Sequence, residues 1–281
     1  MKTLRWCRLS IMGFILCSLF ACSDSEPNFF DSDNPLRLSD WNLFKLGNEL
    51  LEPNTDTFVF RPKNQLFTDY AHKLRTLWIP SGKSAHLQDE EILYPIGAVL
   101  SKTFYYPTNS QGKALRQADT GKSKINLIKN RLIETRLFVK RANGWEAFPY
   151  VWNDEQNEAF LRVAGTSKNI ELIDGDETTP FTYFVPNENQ CSGCHVTEHP
   201  KGKMHPLGAI ASQLNAKIGS NIPKTQIQEL ISRGWLDKSP RIEPAKSWSD
   251  ASESISDRAS AYLNMHCGHP FPHLLLVLRC N

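Results

Sequence analysis

The segment Cys191-Ser192-Gly193-Cys194-His195 places two thiols around a two-residue spacer, with an imidazole directly after the second thiol. Thiols at that spacing can each add across one vinyl group of a porphyrin, and the adjacent histidine then stands under the iron as its proximal ligand. Ser192 and Gly193 are small enough for the loop to lie against the macrocycle. The pattern is that of a c-type haem attachment site, with Cys191, Cys194 and His195 as the cofactor-binding residues. Zinc is the competing chemistry. Cys191, Cys194, His199 and His205 supply four ligands of suitable softness, although zinc ligand pairs more often lie on separate, well-spaced knuckles. A pair of thiols with no role is the third reading, and it is disfavoured in an exported chain, where reactive cysteines are avoided or used.

The amino terminus points to export. Lys2, Arg5 and Arg8 form a basic n-region, and Leu9 to Phe20 follow as an apolar run too short to span a bilayer comfortably. Residues 1–21 therefore read as a signal peptide. They lead into Leu19-Phe20-Ala21-Cys22, which looks like a bacterial lipobox whose cysteine is lipidated and becomes the mature amino terminus. Phe20 is bulkier than the residue usual at that place, so a plain secretory cleavage near Ala21 is the alternative. Residues 22–35 then form a polar, flexible tether. Either cleavage puts the chain in the bacterial periplasm, the first as a lipoprotein held to the membrane through Cys22. Attachment of c-type haem is itself an export-side process.

Seven cysteines resolve on this reading. Cys7, Cys17 and Cys22 belong to the signal, Cys191 and Cys194 to the haem loop, and Cys267 and Cys280 remain as a possible disulfide that would enclose only a short tail. The fold must rest on its apolar core. With 32 basic and 30 acidic side chains the net charge is +2, and there is no basic run or phosphate-cradling glycine loop, so nucleic acid is not an expected partner.

The residues that must position the loop fall into two regions. Residues 36–187 read as a β-rich domain, because short runs of aromatic and β-branched residues are punctuated by Gly, Pro and Asn. The clearest hairpin is Leu132 to Trp152, with Ile133, Thr135, Leu137 and Val139 on one face and Asn143-Gly144 as its tight primed turn. Further strands are expected at Lys73 to Ile79, Val99 to Tyr106, Ala159 to Val163 and Phe181 to Val185. Paired aromatics such as Tyr105 and Tyr106 can line a sugar or quinone site, but core packing is their simpler use. Glu134 and Arg136 read as a solvated or paired strand edge.

Residues 188–281 read as a small helical cytochrome c-like domain, making the expected fold class α+β. Pro206 precedes an apolar stripe of Leu207, Ile210, Leu214 and Ile218 that Gly219 can end. Thr225 and Gln228 form a capping box before Ile227, Leu230 and Ile231, with Gly234 to close the helix. Ser252 or Ser254 opens a third helix, with Ile255, Ala259, Tyr262 and Leu263 expected to point inward. For the distal iron ligand the candidates are the thioethers of Met265 and Met204 and the imidazoles of His205 and His199. Met265 is preferred because it sits on a helix far enough along the chain to fold over, whereas Met204 lies close to the loop.

The stretches Asn64-Gln65-Leu66-Phe67-Thr68-Asp69-Tyr70-Ala71, Lys102-Thr103-Phe104-Tyr105-Tyr106-Pro107, Ile133-Glu134-Thr135-Arg136-Leu137, Pro149-Tyr150-Val151-Trp152-Asn153 and Asn189-Gln190-Cys191-Ser192-Gly193-Cys194-His195 occur in that order. The succession, which runs through most of the mature chain, resembles a family of exported bacterial diheme c-type cytochromes. The resemblance implies haem and electron transfer more than any one reaction. It also implies a second Cys-x-x-Cys-His after a helix ending in Ala-Tyr-Leu. Ala261-Tyr262-Leu263 and Cys267 are in place, but Pro270 and Phe271 stand where the second cysteine and the ligand histidine belong. Proline has no thiol and phenylalanine no lone pair for iron. One haem c is therefore expected, with the second site disrupted and the sequence from about Pro270 altered by truncation or a change of frame.

The function expected from these residues is an exported c-type cytochrome that carries single electrons to or from a redox partner protein, an electron carrier more than a catalyst. Two alternatives stand beside it. One is a haem-bearing subunit or domain of a periplasmic dehydrogenase whose β-rich region binds substrate, and the other is a zinc-binding structural module.

Overall fold

The computed structural model describes residues 25–88, 91–196, 202–219, 222–237 and 242–266. Strands β1 (Phe44–Gly47) and β2 (Leu50–Pro53) form the first hairpin, followed by β3 (Phe58–Val59), β4 (His72–Trp78), β5 (His86–Gln88) and β6 (Glu91–Leu93). Next come β7 (Val99–Pro107), β8 (Ala114–Leu115), β9 (Ile125–Asn126), β10 (Asn130–Arg141), β11 (Gly144–Trp152) and β12 (Ala159–Leu161). The β13 (Thr166–Asp174) and β14 (Glu177–Val185) hairpin leads into four helices, α1 (Glu188–His195), α2 (Ala211–Leu214), α3 (Gln226–Ser232) and α4 (Ile255–His266). Six strands form the central sheet in the order β12-β11-β10-β7-β4-β3, each antiparallel to its neighbours.

Alternation along these strands gives the sheet two different faces. One carries Leu74 and Trp78, Val99 and Tyr105, Leu137 and Val139, and Phe148, Tyr150 and Trp152, packed under Trp41, Leu43, Leu51 and Ile125. Several polar side chains on this face are paired with one another. Thr76 bonds Ser101 at 2.6 Å, Thr103 bonds Thr135 at 2.8 Å, and the Trp152 indole donates to Thr135 at 3.0 Å. The opposite face is covered in two parts. Toward one end the β13–β14 hairpin lays Ile170, Leu172, Tyr183 and Val185 on Phe104, Ile133 and Val151. Toward the other end lie the helices.

That placement corrects the expected α+β arrangement of a β-rich domain followed by a separate cytochrome c-like helical domain. The fold is β-rich, and α1, α2 and α3 share a single apolar cluster with the sheet. Cys191, Ala209, Ala211, Leu214, Ile227 and Leu230 pack with Leu77, Leu100, Phe138 and Ala147. Buried amides stitch the same elements together. Gln226 exchanges hydrogen bonds of 2.8 Å with both the N–H and the carbonyl of Arg61, Gln213 accepts from the Asn64 N–H at 2.9 Å, and Asn64 donates to the Lys246 carbonyl at 2.7 Å. Helices this short expose too little apolar surface to close a core of their own, so burial against a preformed sheet is how they are stabilised.

Local readings fare unevenly for physical reasons. Thr225 and Gln228 do form a reciprocal capping box at the start of α3. The stripe from Leu207 to Ile218 does not become one helix. Gly208 adopts φ +78°, and a Cβ there would stand 3.3 Å from Pro62, so the chain turns against Pro62 and α2 spans only Ala211–Leu214. In α4 the buried side chains are Ala261 and Met265, whereas Ile255 is 84% exposed and Ala259 and Tyr262 also face out. The β10–β11 hairpin forms, but its linking residues are Ala142 and Asn143, and the positive φ falls on Gly144. A register shift between Leu132 and Glu134 turns Ile133 away from the face of Thr135 and Leu137 and into the cluster beneath β13 and β14. The β13 strand, whose hairpin to β14 turns through Gly175-Asp176, was not expected, although Asp-Gly is a turn signal.

Candidate functional site

Helix α1 leaves β14 through Pro186 and is capped by its own residues. Asn187 Oδ1 accepts from the Gln190 N–H at 2.8 Å, and Gln190 Oε1 accepts from the Asn187 N–H at 2.9 Å. This Asn-x-x-Gln box escaped the sequence reading, although its spacing is that of the Thr225 box. The helix puts residues 191, 194 and 195 at i, i+3 and i+4, the separations that share a helical face. Cys191 is 7% exposed and its Sγ lies 3.4 Å from the Asn187 carbonyl. Cys194 belongs to the same helix, and its side chain lies outside the described set.

The His195 ring packs on Phe138, with centroids 4.8 Å apart. Its Nδ1 is 2.9 Å from the carbonyl oxygen of His205, while the His195 carbonyl accepts from the His205 N–H at 2.8 Å. A carbonyl only accepts, so Nδ1 carries the proton of the neutral ring and Nε2 carries the lone pair. Cys191 and His195 line one mainly apolar cavity of about 180 Å³, with Phe60, Leu66, Leu100 and Phe138 among its walls. Its only charged lining residues among those described are Arg75, Lys102 and Arg136.

Other residues singled out by the sequence lie in different places. Met204 is bridged by backbone to Val196 and packs against the same cluster as Cys191. His205 pairs with Glu91 through Nδ1 at 3.0 Å. Met265 is buried beside Gly208 and is not among the cavity's lining residues. The signal segment with Cys22, His199, and the tail from Cys267 with Pro270 and Phe271 lie outside the described residues. Among the described residues no group of three His, Cys, Asp or Glu side chains is disposed to hold a metal ion.

The charged lining was not legible in the sequence. Register places Arg75 on β4 opposite Lys102 on β7, and Lys102 opposite Arg136 on β10, so three cations form one row across three neighbouring strands. Glu134, read as part of a strand edge, instead lies on a strand in the interior of the sheet, with no exposed side-chain surface. It accepts from Arg136 at 2.6 and 2.8 Å and from the Tyr183 hydroxyl at 2.7 Å. Burial works against the Arg136 charge, but Glu134 outweighs it and holds the guanidinium more firmly protonated than usual. The other two cations are not so favoured. Burial, then the fields of Arg75 and Arg136, pull Lys102 down to about 7, and burial pulls Arg75 down to about 10. Burial, then Arg75, pulls Lys73 down to about 8.

These shifts fix the sign of a pH dependence. The unfolded lysine holds its proton up to its ordinary value of 10.5, whereas folded Lys102 releases it near 7. The unfolded chain thus binds more protons between those values, and stability rises with pH across that window. Below it both states are protonated and the penalty is fully present. The melting temperature of the polypeptide alone is expected to climb from neutral pH toward about pH 9. Lys102→Met should flatten that climb, and an unaltered slope would contradict the assignment.

Comparison with family models, with curated proteins and with solved structures found no match in any of the three.

Proposed function

We propose that this chain is an exported c-type cytochrome that carries single electrons, with haem c held by Cys191, Cys194 and His195. The observation that carries the reading is the His195 ring. Its Nδ1–H is committed to the His205 carbonyl, which orients the imidazole, as a hydrogen bond from the non-ligating nitrogen does in a metal-binding histidine. Cys191 and His195, at helical spacing from each other, both line the same apolar cavity. Bound there, haem supplies a one-electron couple at iron.

The protein's own residues do the rest. The Asn187 and Gln190 cap fixes the start of α1, Phe138 sets the tilt of the His195 ring, and Phe60, Leu66 and Leu100 give the cavity apolar walls. A cavity of about 180 Å³ is smaller than the pockets of about 300 to 1,000 Å³ that enclose whole drug-sized ligands. Its described lining residues would therefore hold only part of a group the size of haem, with Cys191 and His195 as the anchoring residues and the remainder left accessible to a redox partner protein. Met265, Met204 and His205 remain the distal candidates, and Met204 packs against the same cluster as Cys191. The periplasmic location and the lipid anchor at Cys22 belong to the same proposal.

The test is the purified mature protein from a host with an export-side haem attachment pathway. A Soret band, haem staining that survives a denaturing gel, and a mass increment of one haem per chain are expected. Zinc with no Soret band would overturn the reading, and two haems per chain would overturn the loss of the second site at Pro270 and Phe271.

A further inference from the structure

Resting on the haem reading of Cys191 and His195, we propose that Arg75, Lys102 and Arg136 form the subsite for the group's two propionate carboxylates. Like charges directly opposite one another on adjacent strands repel, and here two such pairs run in succession across the middle of a sheet. Arg75 is only 4% exposed. Among the described residues neither its guanidinium nor the Lys102 ammonium makes a hydrogen bond or ion pair. The Lys102 Nζ stands 5.6 Å from the centre of the Phe104 ring.

Every neighbouring carboxylate is already engaged. Glu134 is held by Arg136 and Tyr183, and Asp119 lies 3.8 Å from Arg61 and accepts from the Lys73 N–H. Lys73, on the same face, donates to the Leu66 and Ala71 carbonyls. Glu134 thus offsets one charge of the row and leaves two, the number of carboxylates that a haem carries. In the polar cleft beside β13, Lys113 is paired with Glu171 and Arg131 with Asp154, and Lys168 donates to the Trp152 carbonyl. The cavity at Cys191 lacks that internal matching, and it is the one that also holds the thiol and the imidazole. Two anionic groups there would relieve the repulsion and restore an ordinary lysine at 102.

The experiment uses haem-loaded wild type, Arg75→Gln and Lys102→Gln, each confirmed to carry haem by mass. Midpoint potential is followed against pH, and the propionate bending band is followed by resonance Raman. In wild type the paired carboxylates stay ionised, so the potential is expected to be flat through the neutral range. Each variant should shift to lower potential, gain a pH-dependent segment as a propionate takes up its proton, and move the bending band, with Lys102→Arg restoring all three. Loading lost in Lys102→Gln and regained in Lys102→Arg also supports the subsite. Variants that keep the wild-type band and pH profile overturn it, including any whose potential shifts only through altered local charge. A wild type that binds no covalent haem overturns the cytochrome reading, and this subsite with it, so the two failures are told apart.

Discussion

Protein in which Cys191 and Cys194 are both replaced by alanine is expected to leave a haem-attaching host with no covalent haem. It should lose the stain on a denaturing gel and the haem increment in mass, while far-ultraviolet circular dichroism keeps the β-rich signature. On the proposed reading the loss should be complete, because the two thioethers would be the covalent link and neither the cation row nor the imidazole can replace a carbon–sulfur bond. The fold should survive because the cluster under Trp41, Tyr105 and Tyr150 contains neither cysteine. His195→Gly separates the roles: haem stays attached through the thiols, but the spectrum changes as the iron loses its proximal nitrogen. A double alanine variant that still carried denaturant-resistant haem would remove Cys191 and Cys194 from the site.

The second large effect is on stability, and it falls on Glu134. With no exposed side-chain surface, this carboxylate is the counterion of Arg136, itself 26% exposed, and the acceptor for Tyr183. Glu134→Leu leaves a partly buried guanidinium facing Lys102 and Arg75 without compensation, together with a buried hydroxyl that has lost its acceptor. Breaking a buried pair from one side costs about 3 to 5 kcal/mol, and the partial exposure of Arg136 places this one near about 3 kcal/mol. Replacing both partners, as Glu134→Leu with Arg136→Met, should recover most of the loss, because an apolar pair of similar size needs no counterion. Urea unfolding of the two single variants and the double variant measures the coupling. A Glu134→Leu protein within about 1 kcal/mol of wild type would show that the pair does not carry this load.

How the helices sit bears on both results. Because α1, α2 and α3 share one apolar cluster with the sheet, the candidate site lies between a helix that carries Cys191 and His195 and a sheet that carries Arg75, Lys102 and Arg136. The Asn64 stretch, notable in sequence only as part of a resemblance, is the seam. Its backbone and side chain are bonded to Gln213, Lys246 and Trp248. Mutations along that seam act on the site at a distance, through the docking of the helices.

What the sequence determined by itself is chemistry and short-range geometry. Two thiols and an imidazole at fixed spacing suffice to propose an attachment motif without tertiary information, and Thr225 with Gln228 meets across a single helical turn. Strands such as Val99 to Pro107 were legible because their runs of β-branched and aromatic residues are bounded by turn residues. What only the tertiary structure decided depends on register and docking, which join residues far apart in the chain. A one-residue slip reverses a strand's faces, so the bulge at Ile133 settles which side Glu134 and Arg136 occupy. Nothing local in Arg75, Lys102 or Arg136 says that they will stand side by side. Nor does an amphipathic stripe say what it will cover: the expected helix from Leu207 gave way to a turn at Gly208, which stands close to Pro62, and α4 buries Ala261 and Met265, one turn apart on a single helical face, while Ile255 and Tyr262 face out.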